Sequence, residues 1–218
     1  MNIHLLGYSE STISRLLDSL LLKNYSGEVV IVKNIAAEET IPFLPEGINC
    51  KMIMWNDWKF DDPLHQCLLG VTKPLVKEKV FTFFLSHFNV KKENYISLAH
   101  PAAVIASTVE MDKACFIEPG TVVASFAKMG FAAYLNRGST IGHHTIIGDF
   151  ATINPGVHIA GHCRIGSKTL IGMGTVIFDH IKIGSNTIIG GGSVVTKDIP
   201  DNVIAWGNPC RVIRSNEN

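Results

Sequence analysis

The residues best suited to chemistry lie close together in the middle of the chain: Asn136, the adjacent pair His143 and His144, and Asp149. An imidazole titrates near neutrality, so His143 can take a proton from an attacking hydroxyl or amine and pass it on. Backbone amides of a neighbouring segment can stabilise the oxyanion formed by such an attack. His144 also opens a series, because His162 and His180 follow it at intervals of eighteen residues. The cysteines, Cys50, Cys67, Cys115, Cys163 and Cys210, are scattered, and none stands beside the histidine pair, so a covalent thiol intermediate is not expected. They lack paired spacing, which fits reduced thiols and a cytoplasmic protein.

These residues are carried by an internal repeat. Every sixth position from 105 to 195 is aliphatic or Met, sixteen in succession, among them Ile105, Met111, Ile141, Ile147 and Val195. Four residues after each stands a small or β-branched residue, such as Cys115, Thr121, Ser139, Thr145 or Thr169, and one residue after often stands Gly or Asn. Period six suits neither an amphipathic helix nor an alternating strand. It suits short strands joined by tight corners, with the aliphatic and the small residue pointing inward and Gly or Asn taking the corner at positive φ. Three hexads make a triangular coil of about eighteen residues, and stacked coils bury one another. The expected fold of residues 98–218 is therefore a parallel β-helix.

Residues 1–97 read differently, as a Rossmann-like β/α domain. Ile3, Leu5 and Leu6 form a strand ending at Gly7. Ser9 or Ser11 caps a helix carrying Ile13, Leu16, Leu17, Leu20 and Leu21, and a buried strand follows at 29–32. An apolar stretch at 52–55, a strand at 67–71 and a helix at 76–88 continue the alternation. The first turn of a β-α-β unit is where a helix N-terminus can hold a phosphate. Ser9, Glu10 and Ser11 in that turn, Lys33 and Asn34 after the second strand, and Gly70 in the later strand are the candidate acceptor-binding residues.

The hexads resemble those of the hexapeptide-repeat acyltransferases, in which they build a left-handed parallel β-helix. A β/α domain of this size ahead of the repeat, and the junction at 95–104 with its His100 and Pro101, narrow the resemblance to certain bacterial sugar acetyltransferases. These are typified by sialic acid O-acetyltransferases and by N-acetyltransferases of UDP-linked 4-amino sugars. The resemblance implies that residues 98–218, including a C-terminal extension, bind acetyl-CoA and carry catalysis, while residues 1–97 hold a nucleotide-sugar acceptor. In that family an Asn stands six intervening residues before the catalytic His. Asn136 and His143 reproduce this spacing, which implies that His143 is the general base. The family commonly has an acidic residue next; His144 stands there, leaving Glu118 or Asp149 to take that part. The segment 194–213 follows the family ending VVxKDIPDxVxxxGNPxxxI, which lies beside the coenzyme A nucleotide and implies Lys197 and Arg211 as phosphate partners. By position, Thr152, Gly161, Met173 and Gly191 correspond to acetyl-CoA contacts, with Gly161 and Gly191 open to the pantetheine arm. The first turn departs from the family's G-x-G-G-H, having only Gly7 with Glu10 nearby. A homotrimer with its sites between adjacent β-helices, and direct transfer in a ternary complex, are also implied.

Composition excludes other classes. Nineteen basic and nineteen acidic residues leave no net charge, so neither nucleic acid nor an anionic membrane is an expected partner. The first residues lack a basic n-region, and no apolar stretch approaches the length of a spanning helix. The same fold carries the γ-class carbonic anhydrases, whose zinc ligands resemble H-x35-H-x4-H. His144 and His180 match the first interval, but the third position is Ser185, so no metal is expected. A γ-carbonic-anhydrase-like metal hydratase on the same fold and a non-catalytic β-helix whose N-terminal domain binds a partner are the two rivals.

Overall fold

A computed structural model describes residues 2–34, 44–62 and 65–217. The chain divides into two compact units, residues 1–101 and 102–218, a boundary four residues beyond the expected one.

The first unit is built on strands β1 (Ile3–Leu6), β2 (Glu28–Lys33), β3 (Asn49–Met54) and β4 (Gln66–Leu69), with helices α1 (Glu10–Leu22) and α2 (Pro74–Phe88). All four strands are parallel, in the order β3-β2-β1-β4. The runs Ile3, Leu5, Leu6 and Val29, Val30, Ile31, Val32 are buried throughout, as strands of a covered parallel sheet are. Helix α1 buries Ile13, Leu16, Leu17 and Leu20, the stripe that its spacing predicts. The chain steps outward from β1 to β3 and then returns to the other side of β1, so the strand order reverses between β1 and β4. Such a reversal leaves a crevice beyond the carboxyl ends of the two strands. On β1, His4 is buried and accepts a hydrogen bond at Nδ1 from Nε1 of Trp58 (2.7 Å).

The second unit is a three-sided parallel β-helix of two-residue strands, one in every hexad. The first face holds six strands, from Val104–Ile105 to Val194–Val195, and the second holds five, from Glu110–Met111 to Lys182–Ile183. The third face runs from Phe116–Ile117 to Ile188–Ile189 and is extended by Val203–Gly207, which pairs antiparallel with Cys210–Ser215. Partners across each face are eighteen residues apart, so Thr140 lies between Val122 and His158. From Ile117 onward every sixth residue is buried, whereas Ile105 is half-buried and Met111 is 40 % exposed. These two lie in the first coil, which no preceding coil of the repeat covers. The buried hydroxyls of Thr121, Thr145 and Thr169 donate to the backbone carbonyls of Asn136, Ala160 and Gly184, which removes the penalty of their burial.

The corners differ from the sequence expectation. Positive φ falls not directly after the inward aliphatic residue but three residues after it. Each of the three corners then has its own column. One holds Gly120, Gly138, Gly156, Gly174 and Gly192 (the glycine corner, φ 65° to 69°). A second holds Phe126, His144, His162 and His180 (the histidine corner, φ 58° to 62°), and the third holds Ala114, Ala132, Phe150, Lys168 and Asn186. Glycine directly after the aliphatic residue answers a different need, close approach. A Cβ on Gly148 would lie 2.6 Å from the backbone nitrogen of Ser167 on the next coil.

Candidate active site

His143 sits in the histidine corner, between strands Thr140–Ile141 and Ile146–Ile147, and its side chain is exposed. Its ring lies against Gly161 of the next coil, where a Cβ would come within 2.9 Å of Cε1 and Nε2. Its Nδ1 is 3.0 Å from Nδ1 of His144, and the two rings are perpendicular. The expected histidine column forms. His144 packs against Phe126 on one side (4.9 Å between centroids) and His162 on the other (4.9 Å, 15°), and His162 stacks on His180 (4.8 Å, 7°). All four residues repeat one left-handed backbone conformation at the strand spacing of about 4.8 Å, which sets the three imidazoles nearly parallel and Phe126 at 32° to His144. The pKa of His162 is lowered, first by desolvation and then by the positive forms of His180, His143 and His144. Asp179 Oδ2 lies 3.8 Å from Nε2 of His180.

Asn136 does not join His143 within the chain. It is buried at the glycine corner, across the first face, and its Oδ1 accepts from the backbone nitrogen (2.9 Å) and Nη1 (3.2 Å) of Arg137. Met173, 63 % exposed, and Gly191 share that corner. Gly161 and the exposed Lys197 belong to the column of His143 itself. Thr152 is buried in the third face, and Arg211 stands opposite Trp206 in the terminal hairpin, with Nη1 donating to the Cys210 carbonyl. The expected residues thus fall mainly on the two corners that flank the first face.

Neither expected carboxylate stands beside His143. Glu118 is buried at the glycine corner, where it accepts from the Tyr134 hydroxyl and the Arg137 backbone nitrogen and lies 3.7 Å from Nη1 of Arg137. Asp149 is at the third corner and accepts from the backbone nitrogen of Phe131 (3.0 Å). Both are held elsewhere by their own hydrogen bonds. Phe126 escaped the sequence reading, although reading every eighteenth residue back from His144 leads to it. Among the described residues, the ring nitrogens of His143, His144 and His162 come within 4.8 Å of one another, close enough to gather around a metal ion but on fully exposed side chains.

In the first unit, Ser9 is the N-cap residue of α1 by backbone conformation, yet its side chain caps nothing. Its hydroxyl instead accepts from Thr12 Oγ1 (3.1 Å). Glu10 opens the helix, and Ser11 follows it on an exposed turn. Lys33, at the end of β2, places Nζ 5.1 Å above the ring of Tyr8, and Asn34 follows it. Gly70 is buried: its nitrogen donates to the Leu6 carbonyl (2.8 Å), and a Cβ would collide with the carbonyl of Gly7. Gly70 therefore closes β4 onto β1. The other candidates cluster where β1 and β2 end.

Residues 144–179 and 162–197 match the bacterial transferase hexapeptide (six repeats) family. No curated protein matches the sequence. Among solved structures, the chain is similar to the acetyltransferase domain of PglB from Neisseria gonorrhoeae in complex with acetyl coenzyme A (20% identity, TM-score 0.79, covering 97% of this chain and 98% of that one). It is similar also to a variant of perosamine N-acetyltransferase from Caulobacter crescentus in complex with CoA and GDP-perosamine (18%, TM-score 0.77, 97% and 96%). A third likeness is to WeeI from Acinetobacter baumannii (22%, TM-score 0.70, 98% and 100%). These likenesses show the fold, an N-terminal α/β region followed by a left-handed parallel β-helix.

Proposed function

We propose that this chain is an acetyl-CoA-dependent acetyltransferase that modifies an amino or hydroxyl group of a sugar, most naturally a nucleotide-linked one. The observation that carries the reading is His143, an exposed imidazole braced against Gly161 with its Nδ1 already engaged, standing on a hexad β-helix. Two similar structures were solved with acetyl-CoA or CoA, one of them also with GDP-perosamine.

The chemistry follows from what an imidazole can do. The acceptor's amine or hydroxyl attacks the thioester carbonyl while Nε2 of His143 takes its proton. Collapse of the tetrahedral oxyanion breaks the C–S bond, and the imidazolium returns the proton to the departing thiolate. On this reading Gly161, Met173, Gly191, Thr152, Lys197 and Arg211 line the path of acetyl-CoA, and Asn136 completes the site from a neighbouring copy. The Rossmann-like first unit then offers the crevice beyond β1 for the nucleotide, with Ser9, Glu10, Ser11, Lys33 and Asn34 at its rim. A cytoplasmic homotrimer is the proposed setting.

Thiol release from acetyl-CoA, followed with a panel of amino sugars and UDP-, dTDP-, GDP- and CMP-sugars, tests this. Turnover with an acceptor in the panel, falling by about 100-fold or more in His143→Ala, is the expected result. Turnover that survives the substitution would place the base elsewhere.

A further inference from the structure

Two imidazole nitrogens 3.0 Å apart, as the Nδ1 atoms of His143 and His144 are, need a single proton between them. Two lone pairs would repel, and two N–H groups would clash. One ring therefore donates and the other accepts, and the direction decides whether His143 can act as a base. If His143 accepted, a neutral ring would carry its hydrogen on Nε2 and have no lone pair left for the acceptor's proton. If it donates, Nε2 is free.

The base role proposed for His143 requires the second arrangement, with His144 accepting. Its ring is held between Phe126 and His162, with His180 stacked beyond. His162 stands in a stack of near-parallel imidazoles 4.8 to 4.9 Å apart, where a positive charge on it would meet its neighbours His144 and His180. The downward shift of His162 has this cause after desolvation. The titratable groups facing His144 are His143, His162 and, one ring further, His180, beside which lies Asp179. Among the described residues, neither Glu118 nor Asp149 comes to His143 in its place.

We propose that His144, ordered by the stack of Phe126, His162 and His180, is the positioning residue of the reaction: it accepts Nδ1–H of His143 and so leaves the Nε2 lone pair of His143 as the base. The stacked column takes the place of a carboxylate. This inference rests on the acetyltransferase reading, but its structural half does not.

The test uses His144→Gly and His144→Glu in the full chain, with 15N-histidine NMR and pH–rate profiles. Glycine is chosen because φ at 144 is +59°, which Gly adopts without strain, so the fold is kept. At pH 8, wild-type His143 should show the Nδ1–H tautomer, and His144→Gly should move it towards Nε2–H. His144→Gly should lower kcat about 10-fold with KM for acetyl-CoA within about twofold. His144→Glu should restore kcat and shift the acid limb to higher pH, because a carboxylate favours the imidazolium. An Nε2–H tautomer of His143 in the wild type, or a tautomer indifferent to His144→Gly, would overturn the proposal whether or not any acceptor is turned over. An acid limb that stays put or moves lower in His144→Glu would overturn it too. Silence with every acceptor, together with the expected tautomers, would sink the function and leave the hydrogen bond standing.

Discussion

His4 shows how one side chain ties the stability of the first unit to pH. The indole of Trp58 can only donate, so Nδ1 of His4 must accept, and the neutral ring carries its hydrogen on Nε2. That nitrogen is buried without a partner, and the ring stacks on His65 at 4.3 Å. Desolvation, followed by His65 and Lys51, lowers the pKa of His4 from 6.5 to about 4. Above pH 6.5 neither folded nor unfolded chains bind a proton there, and stability is flat. As the pH falls from 6.5 towards 4 the unfolded chain takes up the proton and the folded one does not, so stability drops, by roughly 3 kcal/mol at pH 4. Urea unfolding at pH 7 and pH 4.5 should show most of this loss, and His4→Asn should flatten it; an unchanged slope would remove His4 as the cause. None of this was legible in the sequence, because no local pattern brings residue 58 to residue 4. Gly161 is a second residue-scale case. Its place in the cofactor set came from resemblance, whereas the structure presses it against the ring of His143. Ala at 161 meets only the exposed ring of His143 and no backbone, so thermal unfolding should barely move while kcat falls about 10-fold or more through the misplaced base. Equal losses of kcat and stability would argue for a purely structural role.

The hexad repeat announced the coils from composition alone, because sixteen inward positions leave no other period. What it could not announce was the division of labour among corners. Period six averages over three corners whose backbone demands differ, and only a period of eighteen separates the all-glycine column from the histidine one. Glycines of two kinds follow, with different prospects on substitution. Gly156 stands at φ +66° with open space around its missing Cβ, so Gly156→Ala costs only the left-handed strain, about 1 kcal/mol. Gly148 has no such φ, but its Cβ would meet Ser167 backbone atoms that can move only with their whole coil. Gly148→Ala should therefore cost about 2 kcal/mol or more, as overpacking does. Paired denaturant titrations decide this, and a larger loss at 156 would reverse the assignment of the two glycine roles. The same period explains why neither Glu118 nor Asp149 serves His143: each carboxylate stands at a different edge of the prism.

A single β-helix of this chain holds the expected catalytic residues on two edges with a strand between them. Asn136 and Met173 lie at the glycine corner, His143 and Gly161 at the histidine corner, and the first face separates the sets. Packing one copy's first face against another copy is the simplest way to bring the two edges into one groove. The outward residues of that face support it. Val104, Val122 and Val176 are 64 %, 41 % and 37 % exposed, with Thr140 and His158 between the last two, whereas the second face turns Glu110, Lys128, Arg164 and Lys182 outward around Ile146. Exposed valines on the first face make it the candidate contact surface. Val176 is outward, so a charge there leaves the core untouched and acts only where another chain would lie. Val176→Glu should keep the far-ultraviolet circular dichroism of the wild type while light scattering shows the proposed trimer reduced to single chains. Acetyl transfer should fall with the trimer, because a lone chain keeps His143 but loses the opposing edge. A trimer that withstands the substitution would move the interface to another face. Single chains that keep full activity would mean that one copy holds the whole site, and Asn136 would then lose its proposed part.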